Sequence, residues 1–131
     1  VLQPMNAETG SMAIRKPVVW SMGNFVSNQR TRRRDGGAMI RLDITASGDS
    51  TFISDAGYVL TWVYTPTENG KKKFYILPCA EFEKKPAFFQ TPEQYEAMMT
   101  YINDARRLLD NLNTGFREMA WENNRWVTLI R

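Results

Sequence analysis

The sequence predicts an α+β fold, a mainly antiparallel or mixed β-sheet followed by one long C-terminal helix. Three observations predict it. Short runs of β-branched and aromatic residues, punctuated by Gly, Asn and Asp, fill residues 1–79. A stretch with apolar residues three and four apart fills 91–113. A short aromatic tail, 116–131, follows, and its pattern leaves helix and strand both open. Strands followed by a helix is the order of an α+β domain. The chain has 131 residues, enough to bury a real core, so one domain is expected.

The elements can be read in order. Met12 to Phe25 reads as one extended segment, with "PVVW" as a buried strand and Gly23-Asn24 as its breaker. Asp35-Gly36-Gly37 supplies turn chemistry for re-entry into "AMIRLDIT", where Ile40, Leu42 and Ile44 alternate with Arg41, Asp43 and Thr45. That alternation predicts one wet face. Ser47-Gly48-Asp49-Ser50 makes the next turn, and "TFIS" leads through Asp55-Ala56-Gly57 into "YVLTWVYTP". In that run Tyr58, Leu60, Trp62 and Tyr64 share one face, Val59, Thr61 and Val63 the other, so both faces suit coverage. Asn69-Gly70 separates it from "KKFYILP" and predicts an antiparallel hairpin.

Thr91-Pro92-Glu93-Gln94 is a helix start, because Thr caps, Pro has the φ of the first helical position and Gln completes the capping-box spacing. Tyr95, Met98, Met99, Ile102, Ala105, Leu109 and Leu112 follow at helical spacing, and Gly115 lies just past the end. This stripe predicts core packing on the sheet, with Met99 and Leu112 at its edge. In the tail, Trp121 and Trp126 stand far enough apart to pack on different elements.

Composition removes whole classes of chemistry. The chain contains no histidine, hence lacks the commonest general base and the commonest zinc ligand. Its single Cys79 has no disulfide or ligand partner and reads as a core or edge thiol. No catalytic residue, metal ligand or cofactor site is therefore expected within this chain. No stretch approaches the roughly 18 uninterrupted apolar residues of a membrane span. Net charge is +3, with the cations gathered at Arg30 to Arg34, Lys71 to Lys73 and Lys84-Lys85. The opening "VLQPM" has neither initiator methionine nor signal-like character, so a piece of a longer protein is expected.

Four segments, "VLQPM", "VVWSMGNFVSNQ", "RDGGAMIRLDI" and "DAGYVLTWVY", together resemble the C-terminal part of the CapA-type bacterial poly-gamma-glutamate capsule synthesis proteins. In that family a His-Pro-His element runs directly into Val-Leu-Gln-Pro, and a Tyr-Ser-Leu-Gly-Asn-Phe strand follows. Here the latter stands as Trp20-Ser21-Met22-Gly23-Asn24-Phe25. The resemblance covers the first half of the chain well and the helical half weakly. It implies a calcineurin-like metallophosphoesterase sandwich for the full protein, whose divalent metal and histidine ligands would lie upstream of Val1. It also implies a cell-envelope or extracytoplasmic setting.

The resemblance directs attention to Ser21, Gly23, Asn24, Arg34 and Asp35 as substrate-facing residues. Glycine permits close backbone approach, and Asn offers an amide to a phosphate- or carboxylate-like group. The alternative is a strand end in which Gly takes positive φ and Asn caps its own backbone. The arginine run would suit an anionic polymer or phosphate-like substrate, since guanidinium forks match such oxygens, and a solvated loop is the alternative. Asp35, Asp43, Asp49 and Asp55 lie in or beside predicted turns, which accounts for them without a metal.

Two further functions compete with the capsule reading. The basic clusters interleaved with Tyr58, Trp62, Tyr64, Phe74 and Tyr75 would suit single-stranded nucleic acid, although these aromatics alternate as sheet core does, which weakens that reading. A structural role is the third, with the upstream part of the same protein as partner, or a strand-exchanged dimer of the fragment.

Overall fold

The computed structural model describes residues 1–9, 14–32 and 34–131. Met12 and Ala13 of the expected first extended segment, and Arg33 of the arginine run, lie outside the described residues. The fold is α+β. The strands are β1 (Met5–Thr9), β2 (Ile14–Val19), β3 (Gly36–Ser47), β4 (Ser50–Tyr64), β5 (Thr67–Glu68), β6 (Lys71–Lys72) and β7 (Tyr75–Pro78). A single turn of helix, α1 (Cys79–Phe82), precedes the long α2 (Pro92–Leu112), and β8 (Arg117–Glu122) and β9 (Arg125–Thr128) close the chain.

Strand β4 is the hub. Where the sequence suggested a break at Asp55-Ala56-Gly57, it runs unbroken for 15 residues. Gly57 marks a close approach instead of an end, because a Cβ there would lie 2.3 Å from Met119 Sδ. One edge of β4 pairs antiparallel with β3 from Trp62 to Ser50. The other edge is shared among β7 at Thr61–Tyr64, β8 in parallel at Gly57-Tyr58, and β2 at Ile53.

The pairing then returns on itself. Just before β8, Thr114 bridges Asn6 of β1, which pairs with β2; Leu2 bridges Met22, and Gly23 bridges Gly37 at the start of β3. Hydrogen bonds from residues 5 and 114 fasten that circuit: the Met5 N–H donates to Asn113 Oδ1 at 2.8 Å and the Thr114 N–H to Met5 O at 3.0 Å.

Tyr58, Leu60, Trp62 and Tyr64 face the main core as their alternation predicts, and Val59, Thr61 and Val63 behind them are buried too. The wet face of β3 is larger than expected. Ala38 is buried, but Leu42 is 39% and Ile44 67% exposed. A register shift between Asp43 and Ile44 and the extension of the β3–β4 hairpin to its tip at Gly48 account for the difference. Asn69 and Gly70 take positive φ in the β5–β6 turn, as hairpin turns of this length require.

Helix α2 begins and ends within a residue of the expected Thr91 to Asn113 span. The Thr91 N–H donates to Gln94 Oε1 at 3.2 Å, and the Asn113 N–H closes the last turn on Leu109 O. Met98, Ile102, Ala105 and Leu109 are buried against the sheet and Leu112 is exposed. Tyr101, outside the predicted stripe, is buried as well, and its hydroxyl donates to Gly37 O at 2.6 Å. Ile102 has no exposed surface, so Ile102→Ala is expected to cost about 2–5 kcal/mol in urea unfolding. A loss below about half a kcal/mol would contradict its packing.

The tail is a hairpin. Asn123 and Asn124 both have positive φ, and their turn sets Trp121 opposite Trp126 with ring centroids 5.2 Å apart. The two tryptophans therefore pack on each other instead of on separate elements, since two residues of left-handed backbone bring the strands into register within one turn.

Candidate functional site

Positive φ at Gly23, +72°, turns the chain out of its ladder with Leu2 and into contact with β3. The Asn24 N–H donates to Gly36 O at 3.0 Å and the Ala38 N–H to Met22 O at 2.7 Å, so Met22–Asn24 serves as an extra short strand against β3. Only glycines fit this crossing. A Cβ on Gly23 would lie 2.8 Å from Gly36 O, and one on Gly37 2.5 Å from Met22 O.

The five sequence-selected residues surround that crossing. Ser21 Oγ accepts the Gly23 N–H at 3.4 Å. The Asn24 side-chain amide donates to Gln29 Oε1 at 2.9 Å and to Arg34 O at 2.6 Å, so both its hydrogens hold the arginine loop closed. Arg34 is exposed, and its N–H donates to Thr31 O at 3.0 Å. Asp35 is half-buried; its carbonyl accepts the Val63 N–H at 3.3 Å, while its Oδ1 is buried without a hydrogen-bond donor.

The described arginines of the run, Arg30, Arg32 and Arg34, are exposed, as a solvated loop predicts, but two of them also make specific contacts. Arg30 donates to Val63 O and Ser27 O, both at 2.5 Å. Burial lowers its pKa, and the charge of Asp35 opposes that shift. Arg32 reaches across to Asp104 of α2 with Nε at 2.8 Å and with its Nη2. Between the N-terminal residues, this loop and α2 lies a cleft of about 630 Å³, lined in part by Leu2, Arg32, Asp35, Tyr101, Asp104 and Leu108.

Asp43 and Asp55 are mid-strand residues directly opposite each other, where turn positions were expected. Arg41 pairs with both, which offsets their repulsion.

A second polar cluster escaped the sequence reading. Glu118, 2% exposed, receives Arg106 Nε at 2.9 Å and Nη2 at 3.0 Å, and Arg131 Nη1 lies 3.2 Å away. Arg106 also donates to both oxygens of Glu83, and Arg131 to Asp110. Burial opposes the charge on Arg106, yet hydrogen bonds to Glu83 and Glu118 hold its pKa above the ordinary value. Tyr58 is pushed up to about 12 by burial and then by the charge of Glu118. Cys79, a core thiol, is raised by burial first and by the same carboxylate second. One signal was available: Arg106 falls four residues after Ile102 and three before Leu109, on the margin of the apolar stripe.

Among the described residues, no group of three or more His, Cys, Asp or Glu side chains is arranged to hold a metal ion. Among them, too, no helix is long and apolar enough to cross a membrane. No protein-family model, curated protein or solved structure matches the chain.

Proposed function

We propose that this chain is the C-terminal segment of a CapA-like capsule biosynthesis protein, supplying strands and a substrate-facing cluster to a metallophosphoesterase-like site formed mainly by residues upstream. One observation carries the reading. The four segments that bear the resemblance lie side by side in a single row, Leu2 beside Met22, Gly23 beside Gly37, and Gly37 beside Thr61. Motifs far apart in sequence thus converge on one crossing, where Ser21, Gly23, Asn24, Arg34 and Asp35 meet. Convergence of this kind suits a site better than four independent strand ends do.

A second feature fits a larger parent. Val18, Trp20 and Met22 are exposed at alternate positions, and Phe25 and Val26 extend the apolar surface, with Trp20 69% exposed. Such a patch suits burial under the upstream part of the same protein. The substrate proposed is an anionic polymer or phosphate-like group met by the exposed Arg34 guanidinium.

Two variants of the full-length parent test this. Asn24→Ala is expected to lower stability by about 1 kcal/mol, by loosening the loop that carries Arg34, and to reduce activity per folded molecule. Arg34→Ala keeps the backbone carbonyl that Asn24 uses, and it is expected to leave the melting temperature nearly unchanged while lowering activity on the anionic substrate. Specific activity unchanged in both variants, normalised to folded protein, would reject the substrate-facing role.

A further inference from the structure

One edge of β3 is open beyond Ala38. Among the described residues β3 pairs with no strand but β4, and the crossing of Met22–Asn24 covers its other edge only from Gly36 to Ala38. Gly36–Ser47 contains neither proline nor lysine, two residues that commonly protect an open edge. Leu42 and Ile44 on this stretch are 39% and 67% exposed.

Two hydrogen bonds fix which main-chain groups face outward. Gly36 O accepts the Asn24 N–H, and the Ala38 N–H donates to Met22 O, so the even-numbered residues of β3 turn their main chain away from β4. The irregularity at Asp43/Ile44 puts its extra residue, Ser54, in β4, and β3 keeps its alternation. Ile40, Leu42 and Ile44 therefore present N–H and C=O groups along the open edge, and no hydrogen bond among the described residues reaches them there.

We infer that this edge binds a second copy of the chain, the two β3 strands running antiparallel about a two-fold axis at Leu42. Each interface of this kind is the same patch on both copies, so the strand must complement itself, and it does. With the axis at Leu42, Ile40 lies opposite the partner's Ile44 and Leu42 opposite the partner's Leu42, all with outward main-chain groups and all on one apolar face. On the other face Arg41 lies opposite the partner's Asp43, twice by symmetry. Moving the axis to Arg41 would set two arginines opposite each other, and moving it to Asp43 two aspartates, which like-charge repulsion disfavours. Strand addition of this kind takes its affinity from main-chain hydrogen bonds and its register from the side chains. Nothing in the pairing depends on a role in capsule synthesis.

Sedimentation velocity on the full chain, from about 10 µM to about 1 mM, is expected to show a monomer passing into a dimer, with a dissociation constant on the order of 0.1 mM as suits so short a ladder. Asp43→Arg sets like charges opposite each other twice and is expected to weaken the dimer at least about tenfold. Cross-linking with diamide at a dimer-forming concentration reads the position of the axis. At Leu42 the two Cα atoms are about 5.5 Å apart, within disulfide reach, and at Ile44 about 13 Å apart along the strands. Leu42→Cys is therefore expected to link at least about tenfold faster than Ile44→Cys, although Ile44 is the more exposed; the buried Cys79 does not compete. A chain that stays monomeric to about 1 mM overturns the inference, whether its edge is open or covered by a segment of its own. So does equal linking at the two positions, the mark of a dimer joined elsewhere, and so does a dimer that Asp43→Arg leaves unchanged. The cysteine pair keeps Arg41 and Asp43 in place, so the register is tested even where Asp43→Arg folds poorly.

Discussion

Glu118→Ala is expected to lower the unfolding free energy by about 3–5 kcal/mol, the range for removing one partner of a buried ion pair. Its side chain is 1% exposed and is the common acceptor for Arg106 and Arg131. Without it, Arg106 keeps only Glu83, and two cations remain close together in a site with little water. Urea unfolding measures the effect, with Tyr58 as a local reporter, since removing Glu118 takes away one of the influences that raise its pKa toward 12. A loss below about 1 kcal/mol would mean that water or side-chain rearrangement compensates the arginines. Glu118→Gln retains the acceptor oxygen and is expected to lose less than Glu118→Ala.

Gly37→Ala is the second large effect. The new methyl would lie 2.5 Å from Met22 O and 2.8 Å from Asn24 O, both backbone atoms that cannot swing aside. The crossing strand must separate from β3, with loss of the Asn24–Gly36 and Ala38–Met22 hydrogen bonds. Overpacking alone typically costs about 1–3 kcal/mol and each hydrogen bond about 1, so a loss of about 3 kcal/mol or more is expected. Gly48→Ala is the control. It has φ +58° but nothing within 4 Å of the added atom, and about 1 kcal/mol is expected there. A loss at Gly37 no larger than that at Gly48 would show that the crossing strand relaxes to admit the methyl, since Gly37, unlike Gly48, has no positive φ to explain a cost.

The contrast between what the residues announce and what they conceal follows from the range of the physics involved. Helix α2 was legible because Thr91, Pro92, Gln94 and the apolar spacing act within a few residues of one another. The Asn69-Gly70 turn was legible for the same reason. Asp55-Ala56-Gly57 misled because glycine reads as a break, while its actual partner, Met119, lies 62 positions on in the chain. Trp121 and Trp126 misled because two consecutive asparagines in left-handed backbone are a less familiar hairpin turn than Asn-Gly.

The candidate site divides along the same line. Gly23 and Asn24 announce a strand end by type alone, and the positive φ at Gly23 agrees with that local reading. That Gly23 meets Gly37, and that the Asn24 amide holds Arg34 O, are facts about pairing between segments that no single-segment pattern encodes. Arg106 and Glu118 are 12 positions apart and on different elements, so their partnership was hidden, although the place of Arg106 beside the helix stripe hinted that it would be half-buried.

The circuit that joins Met5 to Asn113 has a consequence for how the chain acquires its shape during synthesis. Residues 108 positions apart must meet before the Met5 N–H has its acceptor, so β1 is made long before it is fully satisfied. β1 can pair with β2 at once, but its other edge waits for Asn113 and Thr114, and forming such distant contacts is slow because loop closure precedes any reward. Vectorial growth therefore leaves that edge of β1 open for the time needed to translate more than a hundred codons, about 5–20 s at typical rates of 5–20 residues per second. A chaperone that shields the nascent β1–β2 hairpin would raise the yield of folded protein more than one acting on the finished chain.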